Sequence, residues 1–365
     1  MKVLVIGRST RNLACSAKRA GYTVFALDQF GDIDMLKCAD ESRIFGEVTD
    51  GELYELAESF GDVDAVVLGA GFEKQDFKNI LNNPREIINV MGDKLNIAAK
   101  FKSMGIPHPE TAPMDRVSGL TFPLMVKPIR GAGGILNIIV KNDDELELFM
   151  ERNDTRDFMA QEFVTGIPCS ASLIGNGDEA VVLALNEQLI GVPWLTRMPF
   201  AYCGNITPFH SGFDNEMTGY ATQIAEEFGL VGSNGVDFIM TEDGPVVIEV
   251  NARFQGSMDT VELATGINIF QSHVQSFEGI LPEPLAPSCF AARSIVFADR
   301  KMVIDNRISG ILENCMEKGR AADVPRPGSV IAPDDPVATL VETGKTRDDV
   351  FGRIKKSSCY VKNLT

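Results

Sequence analysis

Positive charge is what this sequence most lacks. Lys and Arg number 34 against 51 Asp and Glu, giving a formal net charge of −17 and a pI near 4.7. Such an excess of acid repels a polyanion, so nucleic acid is excluded as a general partner. An anionic nucleotide is compatible only where metal ions and a few placed cations neutralise it locally. No apolar run approaches the length of a membrane span, so no membrane partner is expected. The seven cysteines, at 15, 38, 169, 203, 289, 315 and 359, include no CxxC pair. Their scatter argues against a zinc site or a disulfide scaffold and fits a reducing interior. The opening MKVLVIG reads as a strand entering a glycine loop and lacks the small-residue cleavage site of a signal peptide. A cytoplasmic location is the expectation.

Familiar glycine motifs are also missing or incomplete. Gly7-x-Ser9 stands where a dinucleotide fingerprint needs Gly-x-Gly, although Asp28 falls where a ribose-binding acid would, which keeps a weak NAD reading open. GNGDEA at 175–180 lies between two apolar runs and reads as a hairpin turn rather than a phosphate loop. TGKT at 343–346 ends like a Walker motif, but the required upstream glycine position holds Thr339, so no P-loop is present. Low-complexity segments and internal repeats are absent.

What is present is an ordinary globular composition, 44% hydrophobic and 23% charged, in a chain long enough for two or three cores. The runs KVLVIG, YTVFALD and VDAVVLGAG alternate with helical segments, predicting a small parallel sheet with helices on its faces. Further on come the helix DKLNIAAKFKSMG, a strand carrying Lys127, a glycine-rich loop at 131–134 and the strand FMAQEFV. After about 280 the chain breaks into short β-like runs, closed by a helix around 346–356.

The most informative stretch is GVDFIMTEDGPVVIEVNARFQG, residues 235–256. Two apolar, β-branched runs flank the turn sequence TEDGP, a hairpin signature that folds Asp237 back onto Glu249. Strand alternation points Glu249, Asn251 and Arg253 the same way. Carboxylate and amide oxygens are the hard ligands Mg²⁺ prefers. A neighbouring Arg suits charge developing on a transferred phosphoryl group. An edge hairpin with a polar, solvated end is the plainer alternative.

In order along the chain, these pieces resemble the ATP-grasp superfamily over nearly the whole length. The group they look most like is the predicted ATP-dependent carboligases related to biotin carboxylase. The resemblance implies an α/β chain in three parts. Residues 1–92 would be a Rossmann-like pre-ATP-grasp domain. Residues 93–280 would be a two-lobed α+β ATP-grasp fold with a lid lobe at about 115–163, and 281–365 a β-rich C-terminal unit. It implies ATP and Mg²⁺ (or Mn²⁺) as cofactors. Lys94 and Lys127 match the family's nucleotide lysines, and Gly131, Gly133 and Gly134 its phosphate loop. Glu162, with the backbone at Phe163 and Val164, matches the hinge that bonds the adenine edge. Asp237, Glu249 and Asn251 match the metal ligands, and Arg253 the arginine that steadies the reacting intermediate. Two departures stand out: GIPCS puts Pro168 near the usual ribose-binding Glu, and Asp237 replaces the commoner Glu.

The resemblance further implies a carboxylate–amine ligase that makes an acylphosphate from a small-molecule carboxylate and passes it to an amine. A bicarbonate-activating carboxylase and a non-catalytic ATP-binding sensor remain as alternatives. A biotin-dependent version would need a separate carrier, because no biotin-carrier MKM segment occurs. For the acceptor side the candidates are Arg11 (to pair a carboxylate), Glu73 (to hold an amine) and His210. A homodimer is expected from the superfamily.

Overall fold

The computed structural model describes residues 1–364 apart from 132 and 135. Its first unit is a parallel sheet of β1 (Lys2–Gly7), β2 (Thr23–Asp28), β3 (Glu41–Ile44) and β4 (Ala65–Leu68), in the order β3-β2-β1-β4. The near-continuous apolar runs of β1 and β4 are buried on both faces, as crossover helices require. The strand β3 is a short polar edge, ESRI, with no apolar run to betray it in the sequence.

A second, antiparallel sheet forms a small lobe. It orders β5 (Thr111–Pro113), β6 (Leu124–Pro128), β7 (Ile138–Val140) and β8 (Phe158–Glu162) as β5-β8-β6-β7. The helix Lys94–Met104 leads into it. Asp93 caps that helix by accepting from the Asn96 amide, and Gly105 ends it at φ +70°.

The large sheet has eight strands. Its members are β9 (Ile167–Asn176), β10 (Ala180–Ile190), β11 (Tyr202–Thr207), β12 (Val231–Thr241), β13 (Gly244–Asn251) and β14 (Phe290–Phe297), with two from the C-terminal region. That region holds β15 (Met302–Val303), β16 (Ala321–Ala322), β17 (Val330–Ile331) and β18 (Pro336–Gly344). The order is β13-β12-β9-β10-β11-β14-β18-β16, while β15 and β17 pair as a separate ribbon. The C-terminal strands thus extend the central sheet. Two helices, Asn306–Glu317 and Arg347–Lys362, accompany them; the first was not expected, and the second outruns the predicted 346–356.

The first unit and the large sheet share a core. Leu13 and Ala14 from the helix Arg11–Arg19 pack with Val261 and Phe270 from the helices behind the sheet. Behind the hairpin, Val236, Phe238 and Met240 bury against Phe101 and Ile106. Burial of each large apolar side chain stabilises by about 1.5–3 kcal/mol, which fixes the faces of β12 and so the direction of Asp237.

One expectation about cysteine is corrected. Cys15 and Cys38 form a disulfide, their Cα atoms 5.0 Å apart. The packing of helix Ile33–Cys38 on helix Arg11–Arg19 brings together residues 23 positions apart, which no spacing motif announces. The cysteines at 169, 203, 289, 315 and 359 are free. Among the described residues no helix is long and apolar enough to cross a membrane.

Candidate active site

A cleft of about 550 Å³ lies between the small lobe and the large sheet. Its floor is the β12–β13 hairpin. Asp237 pairs directly across from Glu249, but Phe238 pairs with Val247, so Ile248 is an extra residue in β13. This bulge brings both Ile248 and Glu249 to the cleft. Facing carboxylates on adjacent strands repel. Burial first, and then Glu249, push the Asp237 carboxyl up to about 7. Its oxygens accept from the Gln188 amide at 2.8 Å and the Asn251 amide at 2.9 Å. These donors are neutral, and neither they nor the pull of Arg253 offsets burial and Glu249.

Two carboxylates beside an amide group fit a hard divalent cation, which would relieve that repulsion. Asn251 presents its NH₂ to Asp237, and half a turn about its terminal bond would present oxygen instead.

The lysines come from two elements. Lys94, at the start of its helix, donates to the Gly131 carbonyl at 2.7 Å and lies 3.8 Å from Glu249. Lys127, on β6, is 4% exposed and donates to the Gln161 side chain at 2.8 Å. Burial lowers its ammonium to about 8, and Lys94 adds to the effect against the pull of Glu249. An anion in the cleft would raise it again.

The hinge partly departs from expectation. The Glu162 carboxylate accepts from the Thr121 amide at 2.8 Å, and the Phe163 N–H already donates to the Pro123 carbonyl at 2.9 Å. That N–H is therefore spent inside the lobe. Val164 N–H has no backbone partner among the described residues, so the free hinge donor is at Val164. Pro168, Thr165 and Ser170 line the cleft just beyond.

Arg253 lies on the cleft wall, its Nε 3.0 Å from Glu73. Glu73 also accepts from the Gly71 amide at 2.9 Å. The loop after β4 thus reaches the hairpin, and these two predicted residues meet. The other two acceptor candidates do not join them. Arg11 is buried and holds Asp259 through two hydrogen bonds of 2.6 and 2.7 Å, with Asp323 at 2.8 Å. Its helix begins inside the predicted RSTRN loop, which turns Arg11 inward and leaves no face for a substrate. His210 is exposed and sits 3.1 Å from Asp214, outside the cleft lining. Asp28 likewise serves the fold, accepting from Thr10 and from the Gly31 amide. Sequence reading missed Gln161, Gln188 and Gln255, single glutamines on or near strands without any motif to mark them.

Residues 91–257 match the model of the ATP-grasp domain family. These residues therefore form an ATP-grasp domain. The matched span encloses both lysines, the glycine loop, the hinge and the hairpin, whereas Glu73 lies outside it. The chain is 27% identical to an uncharacterised protein of Methanocaldococcus jannaschii, over 93% of this chain and 88% of that one. Its fold is similar to the biotin carboxylase domain of 2-oxoglutarate carboxylase from Hydrogenobacter thermophilus, solved with MgADP, ADP and bicarbonate. There the identity is 18% and the TM-score 0.74, covering 97% of this chain and 88% of the other. It is similar too to N5-carboxyaminoimidazole ribonucleotide synthetase of Thermus thermophilus, at 15% identity and TM-score 0.73, covering 98% and 97%. An L-amino acid ligase from Bacillus licheniformis gives 18% identity and TM-score 0.71, covering 98% and 96%. ATP with Mg²⁺ is the cofactor pair of this domain.

The glycine loop meets the segment between β10 and β11 at Gly134. This residue sits at φ +72°, and a Cβ there would run into the Phe200 carbonyl oxygen. Only glycine allows the loop to lie this close. Gly133 and Gly134 both line the cleft, and Gly131 holds Lys94.

Proposed function

We propose that the protein is an ATP-dependent carboxylate–amine ligase acting on an amino acid or small metabolite through an acylphosphate. The observation that carries this reading is the meeting of Arg253 with Glu73 beside the cleft that Lys127, Asp237 and Glu249 line and that Lys94 adjoins, 3.8 Å from Glu249. A phosphate-neutralising set there adjoins a cation at the end of the hairpin, Arg253, paired with an anion from the N-terminal unit, Glu73.

Phosphoryl transfer demands positioning and charge neutralisation more than covalent help. Lys94 and Lys127 would hold the phosphates of ATP, with Val164 N–H on the adenine edge. Asp237, Glu249 and Asn251 would hold Mg²⁺, which when bound neutralises phosphate oxygens. Arg253 would bind the substrate carboxylate as it attacks the γ-phosphate, and then the acylphosphate it becomes. The attacking amine displaces phosphate from that acyl carbon, and the amide, ADP and phosphate leave. Glu73 is placed to accept the amine's proton or to hold its ammonium. The glycine loop, closed on Phe200, would exclude water that otherwise hydrolyses the intermediate.

A carboxylase that activates bicarbonate is the second reading. The likeness to a biotin carboxylase domain solved with bicarbonate favours it. One experiment separates the two: ADP release from Mg²⁺–ATP against pooled amino acids, small carboxylates, amines and bicarbonate, with mass spectrometry of products. The ligase reading expects release that needs both a carboxylate and an amine and yields a condensed product. Release on bicarbonate alone overturns it.

A further inference from the structure

A second cavity, of about 370 Å³, opens on the opposite side of Arg293 from the ATP cleft. Arg293 forms the partition: one of its terminal nitrogens donates to the carbonyl of Gly256, a residue of the cleft wall, while its side chain lines the second cavity. The cavity joins the C-terminal ends of β1 and β2, through Ser9 and Phe30, to β14, β17 and β18. Ligands gather at such strand ends in parallel sheets.

Its lining is of two kinds. Ile295, Val337 and Val330 make an apolar wall, and Phe30 and Val330 stand at the rim, 45% and 62% exposed. At the polar end lies Asp32, which is 7% exposed and lines the cavity. Asp32 occupies the N-cap position of the helix Ile33–Cys38, yet its side chain makes no cap hydrogen bond. Among the described residues no donor reaches its carboxylate. Of the nearby cations among the described residues, Arg11 is committed to Asp259, Asp323 and Asp34. Arg293 faces Asp259, Asp323, Gly256 and Thr339, while its buried Nε lacks a partner among these residues. Arg326 lies against Gly31 without a hydrogen bond to Asp32. Two guanidinium groups thus face Asp34, Asp259 and Asp323 before Asp32 is counted, and negative charge is in surplus.

We propose that this cavity binds a protonated amine carrying an apolar body, its ammonium seated on Asp32 and its body against Ile295, Val330 and Phe30. A buried, unpartnered carboxylate calls for a cation or a proton. A divalent metal is disfavoured, because it asks for six or more oxygens while much of this lining is hydrocarbon. Among the described residues no group of three or more His, Cys, Asp or Glu is arranged to hold a metal, here or elsewhere. An ammonium supplies one charge and several donors on a compact head, and its carbon body suits the wall and rim. Without a ligand, burial first, and then Asp323, Asp28 and Asp34, push the Asp32 carboxyl up to about 8, so it holds a proton at neutral pH. Seating an ammonium displaces that proton.

The site stands apart from the ligase reading, since its binding step needs no ATP. Calorimetry of the full chain with 2-phenylethylamine and n-hexylamine, each against its matched alcohol, tests it. The expected result is saturable amine binding at least about tenfold tighter than the alcohol, a difference near 1.4 kcal/mol. Heats should differ between buffers of unlike ionisation enthalpy, reporting the released proton. Asp32→Asn should weaken the amine about tenfold or more while MgATP binding is kept. Val330→Lys, a change at an exposed position with little bearing on folding, should do the same by placing a cation at the rim. Absence of saturable amine binding, equal affinity for amine and alcohol, or wild-type affinity in Asp32→Asn overturns the proposal. In turnover assays, incorporation of the amine into product marks the acceptor itself, and altered ADP release without incorporation marks an effector; either outcome retains the site.

Discussion

Where the N-terminal unit meets the large sheet, Arg11 grips Asp259 with two nitrogens and Asp323 with a third contact. At the hairpin, by contrast, Asp237 and Glu249 face each other with two neutral amides on one and Lys94 standing 3.8 Å from the other. Both clusters are built from acids on buried or half-buried elements, and their electrostatics run in opposite directions. Burial opposes ionisation of Asp259, but Arg11 outweighs it and holds that carboxyl well below the usual range. Nothing does so for Asp237, which rises to about 7. The closed cluster acts as a joint between units: residues 11, 259 and 323 come from three distant parts of the chain. The open cluster has its missing charge still to come, from a ligand. Which acids belong to the fold and which to chemistry is therefore read from where their compensating charge resides.

Neutralising Glu249 should give the largest effect. In Glu249→Gln the cation loses a charged ligand, and turnover should fall on the order of 10³-fold or more, several kcal/mol of lost stabilisation. The ligand-free protein should melt no lower than wild type, because a repulsion with Asp237 has been removed. Mg²⁺ should no longer raise its melting temperature. Wild-type ADP release would remove the hairpin from the site. The converse experiment is Arg11→Met, which strips Asp259 and Asp323 of their hydrogen-bonded cation and leaves them Arg293 at 3.4 and 3.7 Å. Breaking such a network costs about 3–5 kcal/mol, measurable by denaturant unfolding. Nucleotide affinity per folded molecule should stay unchanged. A cost below about 1 kcal/mol, or a selective rise in KM for one substrate, would return Arg11 to the list of substrate contacts.

That contrast also marks how far the sequence could be read. Local periodicity and turn chemistry placed the hairpin, because Asp237 and Glu249 flank a short turn and their pairing follows from strand alternation. Lys94 and Lys127 were legible as family positions, and the structure brings both within reach of the same cleft. Arg11 was misread for a physical reason: its helix starts one residue after Thr10, earlier than the glycine loop suggested, and its partners lie 248 and 312 positions away. No local pattern encodes contacts of that separation. The same holds for Cys15 with Cys38, and for the edge strand ESRI, whose pairing comes from β2 rather than from its own composition. Phe163 shows the limit of a motif: one donor expected of the hinge is already occupied by Pro123.

Gln188 refines the comparison at a finer scale, since it is the neutral group that most directly orients the open cluster. It sits on β10, reaches across to Asp237 at 2.8 Å and lines the cleft without being a ligand candidate itself. If it fixes the Asp237 carboxylate for a cation, Gln188→Ala should shift the Mg²⁺ activation midpoint upward by about 10–100-fold, the usual cost of losing such a support. Saturating Mg²⁺ should then restore most of kcat, because the ligands themselves remain. A purely structural glutamine predicts the reverse pattern: a lower melting temperature with an unchanged Mg²⁺ midpoint. The midpoint, not the rate at one metal concentration, is the quantity that tells a residue tuning the open cluster from one that merely fills the sheet beneath it.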